Sequence, residues 1–179
     1  MFKNQQYLHY LLLLILCSHF FSCVYFNTFY NAESSYKKAL KIIEESPILN
    51  EEKFPEQARK LLIDAMENSK IVLKKYPESK YVDDAVYIIA KSSFLRGDIA
   101  IAESYFDQLL RDYPESKYFS LSRIWLTYTH LHMGMVDTAY NEITTILENT
   151  PAGGEEFYLI HNILAEISIA KENINEIYR

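Results

Sequence analysis

The chain has 179 residues, 49% of them hydrophobic and 15% aromatic, with only four Gly and five Pro. That composition suits one all-helical domain or a short array. The net charge of −6 lacks the basic footprint that nucleic acid requires.

The N-terminal segment differs from the rest. Lys3 is the only charge before Glu33, and Tyr10 to Leu16 is a compact apolar run that continues through Phe20 and Phe21. A short basic start, an apolar middle and a small residue before a cut site describe a secretory signal. Ser22 is followed by Cys23, and this small-residue–cysteine junction after an apolar core resembles the bacterial lipoprotein signal. That resemblance implies a signal peptide over 1–22, cleavage before Cys23 and lipid on its thiol. It departs from the family at Phe20, where Leu is usual. Two other readings of the segment stand beside it, an uncleaved membrane anchor over Tyr7 to Phe26 and a buried N-terminal helix. Val24 replaces the Asp that holds such lipoproteins at the inner membrane, so the resemblance implies the outer membrane, facing the periplasm. Cys17 and Cys23 are the only cysteines, which leaves the mature chain no disulfide framework and no cysteine zinc site.

Phe29, Ala32, Tyr36, Ala39 and Ile43 recur at helical spacing and predict an amphipathic helix over 28–45. Ser46 to Lys53, with Pro47 inside it, reads as a loop. Helix resumes near Pro55 and runs to about Lys75.

The hexapeptide Tyr-Pro-Glu-Ser-Lys-Tyr then occurs twice, at Tyr76–Tyr81 and at Tyr113–Tyr118, 37 residues apart. The same step relates Gly97 to Gly134, and it links Ala65, Ala102 and Ala139. Leu73, Leu110 and Leu147 share it, as do Pro77, Pro114 and Pro151. Several series with one period make an internal repeat, and a period of this length makes a stacked helical array. Each proline must follow a helix end. Ser79 and Ser116 are N-cap residues from which the next helix starts. Gly97 and Gly134 close that helix in the left-handed conformation. Asp98 and Asp137 sit near the start of a second helix, whose small Ala lets the pair approach closely. Phe106 and Leu109, then Ile143 and Ile146, fill the gap.

This unit resembles the tetratricopeptide repeat (TPR). Four, seven and twelve residues after the small Ala, that family expects a large apolar residue, a small or apolar one, and a proline. Ala102 is followed by Phe106, Leu109 and Pro114, and Ala139 by Ile143, Ile146 and Pro151. Ala65 is followed by Ser69, Val72 and Pro77. The unit of 37 exceeds the usual ~34 through its longer Pro turn. That turn resembles the variant found in bacterial envelope proteins, the outer-membrane assembly lipoprotein BamD family and the periplasmic YbgF type. The fold implied is an all-α, TPR-like α-α superhelix, or solenoid, of about three to four helix-turn-helix repeats over residues 23–179. Residues 28–75 form a divergent repeat, 79–112 and 116–149 the two clear ones, and 155–179 a partial one. In the last, Phe157, Ile160, Leu164 and Ile167 mark a helix from Glu155 to about Ala170. A turn is expected at residue 171, which matches Gly97 and Gly134, and the short remainder is read as a fragment of a longer protein or, as the alternative, as a last helix that waits for a partner.

No catalytic pattern emerges. His130 and His132 lie on different helix faces, and His161 stands alone. There is no phosphate loop and no nucleophile elbow. A non-enzymatic scaffold that needs no cofactor or metal is the expectation. Carrying over the family's groove positions gives Asp84, Tyr87, Lys91 and Phe94 in one repeat. The next repeat gives Leu121, Ile124, Tyr128 and Leu131, and the last gives Tyr158 and His161. Such a groove implies an extended peptide or partner helix from other envelope proteins, an outer-membrane β-barrel assembly factor among them, with the membrane reached through the lipid. A YbgF-like scaffold for cell-wall or division complexes, or a general TPR adaptor, is the alternative. A soluble cytoplasmic adaptor is a third reading, and the Lys3-to-Cys23 segment speaks against it.

Overall fold

The computed structural model describes residues 27–46 and 55–177. The signal-like segment 1–22, Cys23, Val24 and residues 47–53 of the expected loop lie outside the described residues. Among the described residues there are seven helices and no strand. They are α1 (27–44), α2 (Glu56–Lys75), α3 (Val82–Leu95), α4 (Ile99–Asp112), α5 (Phe119–His132), α6 (Val136–Glu148) and α7 (Glu155–Ile177). The chain divides into two compact units, residues 1–85 and 86–179, and the division falls within α3.

In the first unit, α1 buries Phe29, Ala32 and Ala39, three of the five residues on its expected face. Tyr36 and Ile43 of that face are half-buried. Pro55, with φ −55°, leads into α2. Glu56 in the first turn and Lys74 and Lys75 in the last complement the helix dipole. Ala58, Leu62, Ala65, Met66, Ser69 and Val72 form the buried stripe of α2, at the three- and four-residue steps of one helix face.

The two hexapeptides fold alike. Tyr76 (φ −135°, ψ 53°) and Tyr113 (φ −133°, ψ 59°) leave the helical region, because the proline ring that follows each disfavours it. Each tyrosine N–H still donates the last helical bond, to Val72 and Leu109 respectively, both at 2.9 Å. A tight turn with Pro at its second position follows, closed by Ser79 N–H to Tyr76 O and Ser116 N–H to Tyr113 O, each 3.0 Å. The serines are not the N-caps of the α-helices; their hydroxyls instead accept two residues on, from Tyr81 N–H at 3.0 Å and Tyr118 N–H at 3.2 Å. The α-helices begin later than the serines, at Val82 and Phe119. The intervening residues form one tighter turn, with Val82 N–H on Ser79 O at 3.2 Å and Phe119 N–H on Ser116 O at 3.0 Å.

The last residue of each hexapeptide stacks on an earlier aromatic. In the first unit Tyr81 lies on Phe29, with centroids 4.4 Å apart and planes 14° from parallel. In the second, Tyr118 lies on Tyr87, at 4.1 Å and 4°.

In the second unit, α4 packs on α5, α5 on α6, and α7 on both α5 and α6. Ala102, Phe106, Leu109, Ala139 and Ile143 have no exposed surface, and Ile146 is also buried, so the small-residue and gap-filling positions are core. One cluster joins Ile124, Ala139, Ile143 and Ile146 to Ile160, Ile163 and Ile167 of α7. Phe157 and Leu164, expected on the buried face of α7, are half-buried, and Ile163 takes a core place instead.

The α7 helix does not end near residue 170. It continues unbroken through Ile177, because residue 171 is Lys, and lysine does not favour the left-handed backbone that a glycine supplies at this step. Its amine instead reaches Asp137 of α6 at 3.1 Å and lies 4.0 Å from the Tyr140 ring centroid.

Gly97 (φ 81°) and Gly134 (φ 80°) do turn the chain. After α3, Gly97 N–H donates to Phe94 O and Asp98 N–H to Ser93 O, both at 2.9 Å. After α5, Gly134 N–H donates to Leu131 O at 2.9 Å and Met135 N–H to His130 O at 3.0 Å. These paired bonds define the Schellman motif. A Cβ at either glycine meets nothing within 4 Å, so the whole cost of a side chain lies in the backbone conformation. Gly97→Ala and Gly134→Ala should each lose about 1–2 kcal/mol in denaturant titrations. Gly154→Ala, with open space and no left-handed backbone, should change little. Equal losses at all three would contradict this reading.

Candidate functional site

The α5 helix carries Trp125, Tyr128 and His132 at steps of three and four, which puts them on one face. Phe94 of α3 meets all three rings, with centroids 5.1 Å from Trp125, 5.0 Å from Tyr128 and 5.1 Å from His132. Trp125 and Tyr128 are 5.6 Å apart, and Tyr128 and His132 4.8 Å. The contacts are edge-on or tilted, the arrangement that ring quadrupoles favour. The Tyr128 hydroxyl donates to Glu166 Oε1 of α7 at 2.6 Å. His132 is exposed, Trp125 and Tyr128 are half-buried, and Phe94 is buried. The cluster is therefore a surface with a fixed floor.

Lys91 lies in that floor. Its Nζ sits 2.6 Å from the Trp125 ring centroid and 5.7 Å from that of Phe94. Only 7% of the residue is exposed. The rings favour the ammonium form. Burial opposes it and wins, holding the amine well below its ordinary value of 10.5.

The other expected groove residues differ in exposure. Tyr87 is 5% exposed, held by its stack on Tyr118 and an edge contact to Phe106 at 6.4 Å. Ile124 has no exposed surface and belongs to the core. Tyr128 and Leu131 both pack partly against that core, and Leu121 is half-buried. Tyr158 is 63% exposed on α7. His161 is exposed too, and its Nδ1 donates to Phe157 O at 2.8 Å. Asp84, in the first unit, is buried. The structure thus brings Lys91, Phe94 and Tyr128 together around Trp125. It adds Trp125 and His132, which their spacing from Tyr128 could have revealed.

A second polar group lies around His130. Its Nδ1 donates to Glu142 Oε2 of α6 at 2.8 Å, and its Nε2 faces Glu103 Oε1 of α4 at 3.7 Å. Thr127 donates to the same Glu142 oxygen at 3.2 Å. Sequence reasoning missed this group because Glu103 and Glu142 stand 27 and 12 residues from His130. Among the described residues no group of three or more His, Cys, Asp or Glu could hold a metal ion.

With this geometry in view, residues 84–116 match the family model described as the tetratricopeptide repeat. The match spans the turn residues Gly97 and Asp98, the small Ala102, Phe106, Leu109 and the second Tyr-Pro turn. It agrees with an all-α, TPR-like helical-repeat solenoid and with protein–protein interaction as the general role of such a repeat. No curated protein matches the chain.

The buried amine sets a pH dependence. The unfolded chain keeps the Lys91 proton up to the ordinary lysine range, whereas the folded chain gives it up sooner. The unfolded state therefore binds more protons, and stability rises with pH between the lowered folded value and 10.5. Between pH 7 and 9.5 the wild type should gain stability relative to Lys91→Met in paired denaturant titrations. Parallel curves for the two proteins would contradict it.

Proposed function

We propose that this protein is a non-catalytic interaction scaffold, lipid-anchored through Cys23 at the periplasmic face of the outer membrane. We further infer a role like that of the BamD family in the assembly of outer-membrane β-barrel proteins. The scaffold reading is carried by the ring surface of Trp125, Tyr128 and His132 over the Phe94 and Lys91 floor. Aromatic side chains with a buried base and an accessible edge are the usual anchors of protein interfaces. The anchor reading is supported by Lys3, the apolar run, and the Ser22–Cys23 junction. Acyl chains contribute about 0.8 kcal/mol per buried CH₂, so more than one chain holds a protein stably. The assembly role is supported by the resemblance of the long Tyr-Pro-Glu-Ser turn to the repeats of envelope lipoproteins.

One experiment separates these layers. Full-length protein is purified in mild detergent as wild type, Cys23→Ser and Tyr128→Ala, and co-purifying proteins are identified by mass spectrometry. The wild type should carry a lipid mass and recover a β-barrel protein with periplasmic repeats at near-equal amount. Cys23→Ser should lose the added mass and leave the membrane fraction. Tyr128→Ala should keep its helical spectrum while partner binding weakens by about 2 kcal/mol. Recovery of cell-wall enzymes would point to the YbgF-like role instead. Recovery of cytoplasmic proteins alone would sink the envelope reading.

A further inference from the structure

A separate cavity of about 410 Å³ opens in the second unit between α4, α5 and α6. Its apolar lining comes from Leu110, Leu126 and Ile146, one from each helix. Its polar lining includes Arg123 of α5 and Asn141 of α6. Both are exposed, and among the described residues neither side chain makes a hydrogen bond or ion pair. The carboxylate that lines the same cavity, Glu142, has its Oε2 engaged. It accepts from His130 Nδ1 and from Thr127 Oγ1. A guanidinium carries five N–H donors in a planar fork matched to a carboxylate. Here that fork lines the same cavity as the Asn141 amide and the aliphatic Leu110, Leu126 and Ile146, and among the described residues no acid pairs with it.

We propose that this cavity docks a partner protein segment that presents a carboxylate next to a branched aliphatic side chain. Charge complementarity selects the carboxylate, since Arg123 is the cationic group of the lining and the Oε2 of the Glu142 beside it is already bonded to His130 and Thr127. Leu110, Leu126 and Ile146 select the aliphatic group. The volume falls in the range of about 300–1,000 Å³ typical of ligand pockets, enough for one anchoring side chain and its neighbour. The cavity needs no contribution from the Trp125–Tyr128 surface. It deepens the scaffold reading, and it rests on that reading only in requiring a protein partner.

The test uses 4-methylpentanoate, which joins a carboxylate to a branched aliphatic tail, with 4-methylpentanamide and acetate as controls. Each is titrated into the full-length ¹⁵N-labelled protein in detergent, following the Arg123 Nε–H and Asn141 side-chain amide signals. The acid should bind in the millimolar range and move both signals. The amide, acetate and the Arg123→Gln variant should each bind about tenfold more weakly, which is about 1.4 kcal/mol. Arg123→Lys, which keeps the charge and loses the fork, should fall between. The exposed Arg123 should leave the melting temperature of both variants unchanged, which separates lost binding from lost folding. Equal binding of acid and amide, unchanged affinity in Arg123→Gln, or shifts confined to other residues would overturn the proposal. So would a wild-type dimer that Arg123→Gln dissociates, since a second copy would then be the occupant. None of these outcomes depends on the pull-down partner.

Discussion

The face-to-face stack of Tyr118 on Tyr87 is the contact on which the repeat architecture turns. A stacked pair contributes about 0.5–1.5 kcal/mol beyond the area it buries. It also fixes geometry. Tyr118 enters α5 directly, and Tyr87 lies within α3, so the stack sets where one repeat's first helix starts against the preceding one. The hexapeptide makes this possible in sequence. Its first tyrosine is pushed out of the helix by proline, its serine hydroxyl holds the next turn, and its last tyrosine is thereby aimed back at an aromatic. The same device appears independently in the first unit, where Tyr81 stacks on Phe29.

The device is absent at the third junction, and the packing changes accordingly. One period after Tyr118 and Tyr87 stand Glu155 and Ile124, which cannot stack. There the join is aliphatic, built from Ile124, Ile143, Ile160, Ile163 and Ile167. The Tyr128 hydroxyl bond to Glu166 and the Lys171 contacts add to it. An apolar join of this kind holds α7 without prescribing a turn after it, and with Lys171 at the glycine step the helix runs on to Ile177.

Much of this was legible in the sequence because it depends on backbone chemistry. Proline, glycine and turn-forming serine act locally, so the helix–turn–helix unit and the core series at Ala65, Ala102 and Ala139 follow from spacing alone. The candidate surface was less legible. A first helix in a stacked array is contacted from several sides. From Asp84 through Phe94 every residue of α3 is buried, so periodicity says little about which face is open. Tyr87 and Ile124 share a repeat position with the exposed His161, yet one is held in a stack and the other is core. Lys91 reads in sequence as a groove residue, and only the fold shows it buried against Trp125. The His130 carboxylate pair and the Arg123 cavity arise between helices, where sequence distance gives no signal.

The most direct test of this account is the equilibrium unfolding of Tyr118→Ala against Tyr118→Phe in the full-length protein. Phenylalanine keeps the ring and alanine removes it. If the stack couples the repeats, Tyr118→Ala should lose about 2 kcal/mol more than Tyr118→Phe, and its transition should broaden as neighbouring repeats uncouple. Equal losses with unchanged cooperativity would show that the ring contact does not organise the array.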